Sequence, residues 1–538
     1  VEIIGNSIIS TLEQALAKCP DKIALVDGDK KFTYNEFAFR VSLLARFLRA
    51  GGEGNVVAFL GPNCHQFMEC YYAAAAAGHI FNPLNFRLAA PELANILAHS
   101  GVKILFAHSD FSALVAEVVN RTPNLSLVVF FGEGKRLPLG CPSADYEKSL
   151  AGGTGNEANE VFESLRADQP ILINDPAHLY YTSGTTGMAK GVVLTHANVL
   201  HHALSAIEEL QLSDADRWLH VAPMFHLADA WATFAITACG GTHVFLPYFS
   251  SKSVLKCLSQ EKITITNMVP TMLSALINDP DLANYHYDSL RVMLSGGAPI
   301  APETVRRIIA GFGCDYVQTY GMTETSPYLT LSLLKDHMLT WPEEKKLQVK
   351  CRTGRPFARV DLKVVRADGT SVEANDLEVG EIIVRGPTVT PGYWHNLEAT
   401  KEAIVGGWLH TGDLAVIDQE GYVNIVDRKK DVVLTGGETV YSTEVEYVLY
   451  EHPAVAECAV VGMPDPTWGE IVTAYVVVRE GHSLKADELI EFVKGRLAHY
   501  KSPKEVYFLN ELPKTGSGKI YKKGLREAAA QFSKEALS

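Results

Sequence analysis

From residue 7 to residue 110 the chain alternates two hydrophobic patterns. Ser10 and Thr11 open a stretch with apolar residues at helical spacing, IALVD is a short apolar run, and residues 33–36 (TYNE) open a second helical stretch. NVVAFLG reads as a buried strand, followed by a helix through Tyr72 and the loop FNPLNFRL. A further helix starts with Pro91 in its first turn, where proline loses nothing, and VKILFA is the next strand. Strand and helix in this alternation predict a largely parallel, helix-covered sheet. Residues 132–168 are rich in Gly, Ser, Glu and Pro and predict an irregular connection. The alternation then resumes: residues 199–210 and 229–238 read as helices, and WLHVAPMFH, THVFLP, ITITNMVP and LRVMLSGG as strands with their turns.

From Val360 the pattern changes to short strands with tight turns at Asp368-Gly369 and Glu420-Gly421, which predicts a small, mainly β subdomain. DRKKD, residues 427–431, is a charged run at a shift in composition and marks a domain boundary. Residues 432–538 then read as a compact α+β unit. Thr443 and Glu446 have capping-box spacing at the start of a helix. CAVVGMP, IVTAYVVV and EVYFLNEL are strands, and the lysine-rich loop PKTGSGKI precedes a last helix.

Length and composition add limits. At 538 residues the chain exceeds one compact core, so two or more domains are expected. A net charge of −14 makes nucleic acid an unsuitable partner, and any anionic ligand must meet locally placed positive groups. No apolar run reaches the ~18–20 residues of a membrane span. The nine cysteines are scattered and hold no CxxC pair, which argues against a disulfide framework or zinc cluster and for a cytoplasmic location.

The densest chemistry lies in residues 180–193, YYTSGTTGMAKGVV. Thr182, Ser183, Thr185 and Thr186 surround Gly184 and Gly187, and Lys190 and Gly191 close the stretch. Glycines let the backbone approach a ligand, while hydroxyls, amide N–H groups and a lysine suit phosphate oxygens. A polar turn between two strands is the plainer reading, but it does not account for the coincidence of all three features. No GxxxxGK[ST] spacing is present, so this is not a Walker A loop.

This string resembles the phosphate-binding signature of adenylate-forming enzymes, with Ala189 where that family usually has proline. Later motifs extend the resemblance over about residues 30–527, and the chain is identified as similar to the acyl-CoA synthetases of that superfamily. The resemblance implies an α/β fold with a large N-terminal domain of helix-covered sheets plus the small β subdomain (residues 1–427). A hinge (428–431) and a small mobile α+β C-terminal domain (432–538) follow. It implies ATP, Mg²⁺ and coenzyme A as cofactors. It also implies roles. Gln318 opens a segment in which Thr319, Tyr320, Gly321 and Met322 meet the nucleotide, Thr323 the α-phosphate and Glu324 the Mg²⁺ ion. Gly296, Gly297, Ala298 and Pro299 shape the adenine and acyl pockets. His226, in PMFH, lies beside the acyl carboxylate, with Asp229 and Trp231 facing the acyl pocket. Asp413 and Arg428 reach the ribose. Lys519 bridges carboxylate and α-phosphate, and with Glu324, His226 and Thr182 makes the catalytic set. Lys430 is the hinge residue, Gly436 and Gly437 line the pantetheine tunnel, and Trp468, Tyr500 and Lys504 contact the CoA nucleotide.

The expected reaction is ATP-dependent ligation of a small-molecule carboxylic acid to CoA through an acyl-adenylate. A short- to medium-chain or thioether acid is favoured, because Trp231 would shorten the pocket. An aryl or long-chain acid, a carrier-protein acceptor, and a non-catalytic nucleotide-binding protein are the alternatives. Retention of Lys190, Glu324, Asp413 and Lys519 weighs against the last. No integral membrane segment is expected, and a homodimer stays open.

Overall fold

The computed structural model describes residues 5–52, 55–150, 160, 162–163, 170–182, 189–514 and 520–527. The described chain folds into two compact units: residues up to 182, 189–362 and 384–409 form the first, and residues 363–383 and 410–527 the second.

The first unit is built on two large sheets. The nine-stranded sheet runs, in spatial order, Arg355–Pro356, Tyr328–Leu331, Asp315–Gly321, Val292–Gly296, Ile265–Asn267, Arg217–His220, Thr242–Phe245, Ile23–Asp27 and Lys30–Thr33. Its middle strands are parallel and its edges antiparallel. The eight-stranded sheet runs Gly392–Tyr393, Lys190–Thr195, Pro176–Thr182, Ile80–Pro83, Val56–Leu60, Val102–His108, Leu127–Phe131 and Ser143–Asp145. Parallel strands covered by helices must be apolar on both faces, and Val56–Leu60 is buried at every position. Leu219, Met293, Val305, Ile308 and Tyr316 belong to one core, and Ala58, Leu105, Val128 and Leu179 to another.

Local signals start the helices as the chemistry requires. Tyr34–Ala50 is opened by a capping box in which Thr33 Oγ1 accepts from the Glu36 amide at 3.2 Å, while Glu36 accepts from the Thr33 amide at 2.7 Å. His196–Glu209 is capped by Thr195 in the same way. Several expectations from the sequence are corrected by the fold, among them the irregular connection over 132–168, which holds the strand Ser143–Asp145 and the short helix Tyr146–Ser149. The stretch expected to be one helix over 229–238 is Leu227–Ala230 followed by Ala232–Cys239. FNPLNFRL, expected to be a loop, contributes its first residues to the strand Ile80–Pro83, which hydrogen-bonds in parallel to Val56–Leu60.

Residues 361–428 supply a five-stranded sheet that includes the hairpin of Trp408–Ile417 with Val423–Arg428. The second unit also holds a five-stranded sheet of Glu438–Val440, Val433–Thr435, Gly469–Val478, Val455–Asp465 and Glu505–Phe508. Helices Ser442–Tyr450 and Ala486–Lys494 contribute Val445, Leu449, Leu489 and Val493 to its core. The capping box read at Thr443 and Glu446 is absent. The helix begins at Ser442 without a side-chain cap, Thr443 donates to the Val426 carbonyl, and Glu446 pairs with Lys522 at 2.7 Å. Tertiary partners take both groups that the sequence spacing assigned to the helix end.

Candidate active site

Thr182 and Lys190 stand opposite each other on the antiparallel strands Pro176–Thr182 and Lys190–Thr195. The intervening Ser183, Gly184, Thr185, Thr186 and Gly187, and also Lys519, lie outside the described residues. What the structure describes is therefore the pair of strands on either side of residues 183–188.

Lys190 is met from the side by a segment that the sequence reading passed over. The short strand Gly392–Tyr393 pairs antiparallel with Lys190–Thr195, Gly392 facing Val193 and Tyr393 facing Val192. Gly392 has φ 147°, and a Cβ there would lie 2.5 Å from the Thr400 side chain, so glycine is required. The Trp394 amide donates to Gly191 O at 2.7 Å, and the Thr390 hydroxyl donates to Val193 O. With the strand so fixed, the Tyr393 ring comes under the Lys190 ammonium, 5.0 Å from centroid to Nζ.

Tyr393 also reaches Glu324. Its hydroxyl donates to Glu324 Oε1 at 2.9 Å, and the Thr390 amide donates to Glu324 O at 2.8 Å. Glu324 is only 7% exposed and sits in the single turn Thr323–Thr325, directly after the strand Asp315–Gly321. Gly321 has no room for a side chain, because a Cβ would run into Pro327 O. Tyr320, Met322 and Thr323 are half-buried.

The same strand brings in the glycine-rich segment. Gly296 and Thr319 are register partners on parallel strands, and a Cβ at Gly296 would lie 2.3 Å from Thr319 Oγ1. Gln318 Nε2 donates to Ala298 O at 2.9 Å, and Gly297 adopts φ 85°. Gly297, Ala298 and Pro299 are exposed beside the end of the strand bearing Tyr320. These two motifs, on consecutive strands joined by the helix Pro302–Phe312, are thus adjacent in the fold.

His226 is half-buried at the start of the turn Leu227–Ala230, with its ring 4.5 Å from that of Phe225. The turn before it is held by Asn63, which accepts from the Met224 amide at 2.8 Å and donates to the Ala222 carbonyl at 2.9 Å. Trp231 is 2% exposed and packs on Trp218 and on Tyr328, centroids 4.9 and 5.2 Å apart. Tyr328 begins the strand Tyr328–Leu331 that follows the turn of Glu324, so Trp231 joins the His226 segment to the Glu324 segment.

Asp229 is fully buried. Its Oδ1 accepts from Trp218 Nε1 at 3.3 Å and its Oδ2 lies 2.5 Å from His220 Nδ1. The chain continues from His220 Nε2 to His243 Nδ1 at 2.9 Å and from His243 Nε2 to Thr237 Oγ1 at 3.0 Å. Burial pushes the Asp229 carboxyl up, and the His220 and Trp218 contacts hold it back in part. Burial, reinforced by His220, pushes His243 well below its ordinary value.

In the second unit Asp413 and Arg428 are register partners, with Arg428 Nε 3.4 Å from Asp413 Oδ1. Lys430 is exposed; its carbonyl accepts from Arg526 at 3.4 Å, and the same guanidinium pairs with Asp431 at 2.7 Å. Gly436 and Gly437 take φ 59° and 85°, and a Cβ on Gly436 would lie 2.8 Å from the Trp468 ring. Gly436 and Trp468 therefore share one place, with Trp468 half exposed. Tyr500 and Lys504 are exposed, Lys501 is engaged by Glu444 at 2.8 Å, and Ser502 is buried.

A family model described as AMP-binding enzyme matches residues 12–394. The chain belongs to this adenylate-forming family. A second model, the AMP-binding enzyme C-terminal domain, matches residues 444–519. Feruloyl-CoA synthase of Amycolatopsis sp. is 38% identical over 94% of this chain and 96% of its own length. Indoleacetate–CoA ligase of Aromatoleum aromaticum is 35% identical over 95% of this chain and 96% of its own. Among solved structures, the o-succinylbenzoate CoA synthetase of Bacillus subtilis in complex with its acyl-adenylate superposes with TM-score 0.80 at 30% identity, covering 96% of this chain and 97% of that one. The mixed α/β fold with a C-terminal α+β domain is that of the adenylate-forming enzymes.

The described donor set also bears on the metal. No group of three His, Cys, Asp or Glu side chains that could hold a metal ion occurs among the described residues. Glu324 is a single buried carboxylate with a fixed hydrogen bond. That fits Mg²⁺, which keeps its waters and binds through one or two carboxylates together with substrate phosphates. No helix among the described residues is long and apolar enough to cross a membrane.

Proposed function

We propose the following route for this AMP-forming acid–thiol ligase. A carboxylate oxygen attacks the α-phosphorus of ATP, the bond to the β-phosphate breaks, and pyrophosphate leaves. The CoA thiol then gives up its proton, its sulfur attacks the acyl carbon, and AMP departs as the thioester forms. Lys190 and the Ser183, Gly184, Thr185, Thr186 and Gly187 stretch hold the β- and γ-phosphates, Thr323 meets the α-phosphate, and Tyr320 lies against the adenine. Glu324 holds Mg²⁺, which when bound neutralises phosphate charge. His226 orients the acid, and Asp413 and Arg428 take the ribose hydroxyls, a carboxylate accepting two such bonds readily. Lys519 supplies the positive charge between carboxylate and α-phosphate. Rotation about Lys430 then replaces it with a thiol path past Gly436, Gly437 and Trp468, with Tyr500 and Lys504 at the CoA nucleotide.

The observation that supports this reading most is the meeting of Lys190 and Glu324 on one side chain, Tyr393. A phosphate-loop lysine and a metal-suited carboxylate held together by strand register make a place for a metal-bound polyphosphate.

For the acid we propose a short- to medium-chain substrate, thioether acids included, because Trp231, in the segment that follows His226, would shorten the pocket; it is buried and packs on Tyr328. An aryl acid is the second reading, favoured by the names of the feruloyl and indoleacetate ligases. A panel of C2 to C16, thioether and aryl acids in a CoA-dependent AMP-release assay separates the two. The first reading expects the highest kcat/KM among C4 to C8 or thioether acids, and an aryl acid at the top of the panel overturns it.

A further inference from the structure

Residues 390–394 form a strap whose construction exceeds what a connection between two strands needs. Its trailing end is bonded to the strand that leaves the phosphate loop, through the Trp394 amide to Gly191 O at 2.7 Å and the pairing of Gly392 and Tyr393 with Val193 and Val192. Its leading end is bonded to the turn that carries Glu324, through the Thr390 amide to Glu324 O at 2.8 Å. Just before it, the Thr388 carbonyl accepts from the Ser326 hydroxyl at 2.8 Å, and Asn198 Nδ2 donates to the Pro387 and Val389 carbonyls at 2.8 and 2.9 Å. The strap thus joins the two pieces of chain that must meet a polyphosphate and its counter-ion. One side chain projects from it to both: Tyr393, with its hydroxyl on Glu324 Oε1 at 2.9 Å and its ring face under Lys190 at 5.0 Å.

We propose that Tyr393 is a positioning residue for the metal–nucleotide complex, acting through Glu324 and Lys190. A phenol that donates to one carboxylate oxygen fixes the rotation of the carboxylate plane, so the group meets the cation already oriented. The ring face gives the lysine ammonium a place to rest by cation–π attraction. Tyr393 thereby spaces a cation and an anion that are both needed by the incoming ligand. The inference rests on the reading of Glu324 as the Mg²⁺ carboxylate.

The test uses the full chain, ATP and Mn²⁺ as a spin probe, without any acid, so that binding is read apart from turnover. Free Mn²⁺ is counted by electron paramagnetic resonance as enzyme and ATP are titrated, and ATP binding is measured separately in EDTA. Tyr393→Phe keeps the ring and loses the donor. It is expected to weaken Mn²⁺ uptake by the enzyme–ATP complex about tenfold to a hundredfold, the loss of one hydrogen bond to a charged group. Its metal-free ATP affinity and thermal midpoint should stay at the parent's. Tyr393→Leu also removes the ring, and it is expected to weaken metal-free ATP binding as well. Wild-type Mn²⁺ uptake by Tyr393→Phe, with Glu324→Gln impaired, overturns the role of Tyr393 alone. Unchanged uptake in Glu324→Gln overturns the reading beneath it, and the proposal with it.

Discussion

Asp229 and Glu324 are both buried carboxylates in motifs associated with the acyl and nucleotide sites, and the molecule uses them in opposite ways. Asp229 is turned back into the nine-stranded sheet, with one oxygen on Trp218 and the other on His220, and the chain of contacts runs on to His243 and Thr237. Glu324 is held by a phenol on the strap that also reaches Lys190. A carboxylate whose two oxygens are taken by interior groups serves the fold. One that is oriented by a phenol which also meets Lys190 is placed, on the proposed reading, to meet a ligand. The carboxyl group and its burial are shared; partners make the difference.

The largest effect separating the two is expected at Glu324. Glu324→Gln should lower acid-dependent ATP–pyrophosphate exchange by about 10²–10³-fold, as removal of one electrostatic group from a reaction centre does. Its thermal midpoint should be unchanged. A large loss of stability with this variant would erase the contrast.

Asp229 should respond the other way. Asp229→Ala strands the buried His220 and Trp218 nitrogens, and a loss of about 3 kcal/mol in urea unfolding is expected. Thermal or urea melting beside exchange kinetics on the folded fraction checks this. Normal stability with abolished exchange would move Asp229 to the ligand side of the comparison.

Acid acts through the buried histidines. Burial holds His178 and His202 down to about 3 and His196 to about 4, against an ordinary value of 6.5, and keeps His243 low as well. In the unfolded chain these imidazoles bind protons first, so between pH 6.5 and about 4 the unfolded state carries more protons than the folded one. Stability is then fully present above pH 6.5 and is lost as pH falls, by about 1.4 kcal/mol per pH unit for each such histidine. Urea midpoints from pH 8 to 5 check the slope. His243→Leu, which removes the titrating end of the Asp229 network, should flatten it slightly, whereas Glu324→Gln should leave it unaltered.

Which parts of this were readable from residues alone follows from the same physics. NVVAFLG announces itself because a strand buried on both faces needs an unbroken apolar run, and VKILFA follows the same rule after its exposed Lys103. Residues 296–299 and 318–324 were singled out by their resemblance to the family's motifs, and strand pairing sets Gly296 beside Thr319. The direction of Asp229 was not readable, since a single helical turn can present it either way and only the Trp218 and His220 positions decide. Thr443 showed a local cap, but Val426 competes for its hydroxyl from another strand. Tyr393 was missed because a two-residue strand has no periodicity. Its one trace in the sequence is a glycine followed by two aromatics after a Thr-Pro turn, and what it touches is set by pairing with a strand about 200 residues away.

The central claim is that this chain activates a carboxylic acid as its adenylate before any thiol takes part. Exchange of labelled pyrophosphate into ATP, with and without acid and in the absence of CoA, tests it most directly. The account predicts exchange that requires the acid and Mg²⁺ but not CoA, with AMP and thioester appearing only when CoA is added. Exchange that ignores the acid across the whole panel, or ATP cleavage to ADP and phosphate, would contradict it.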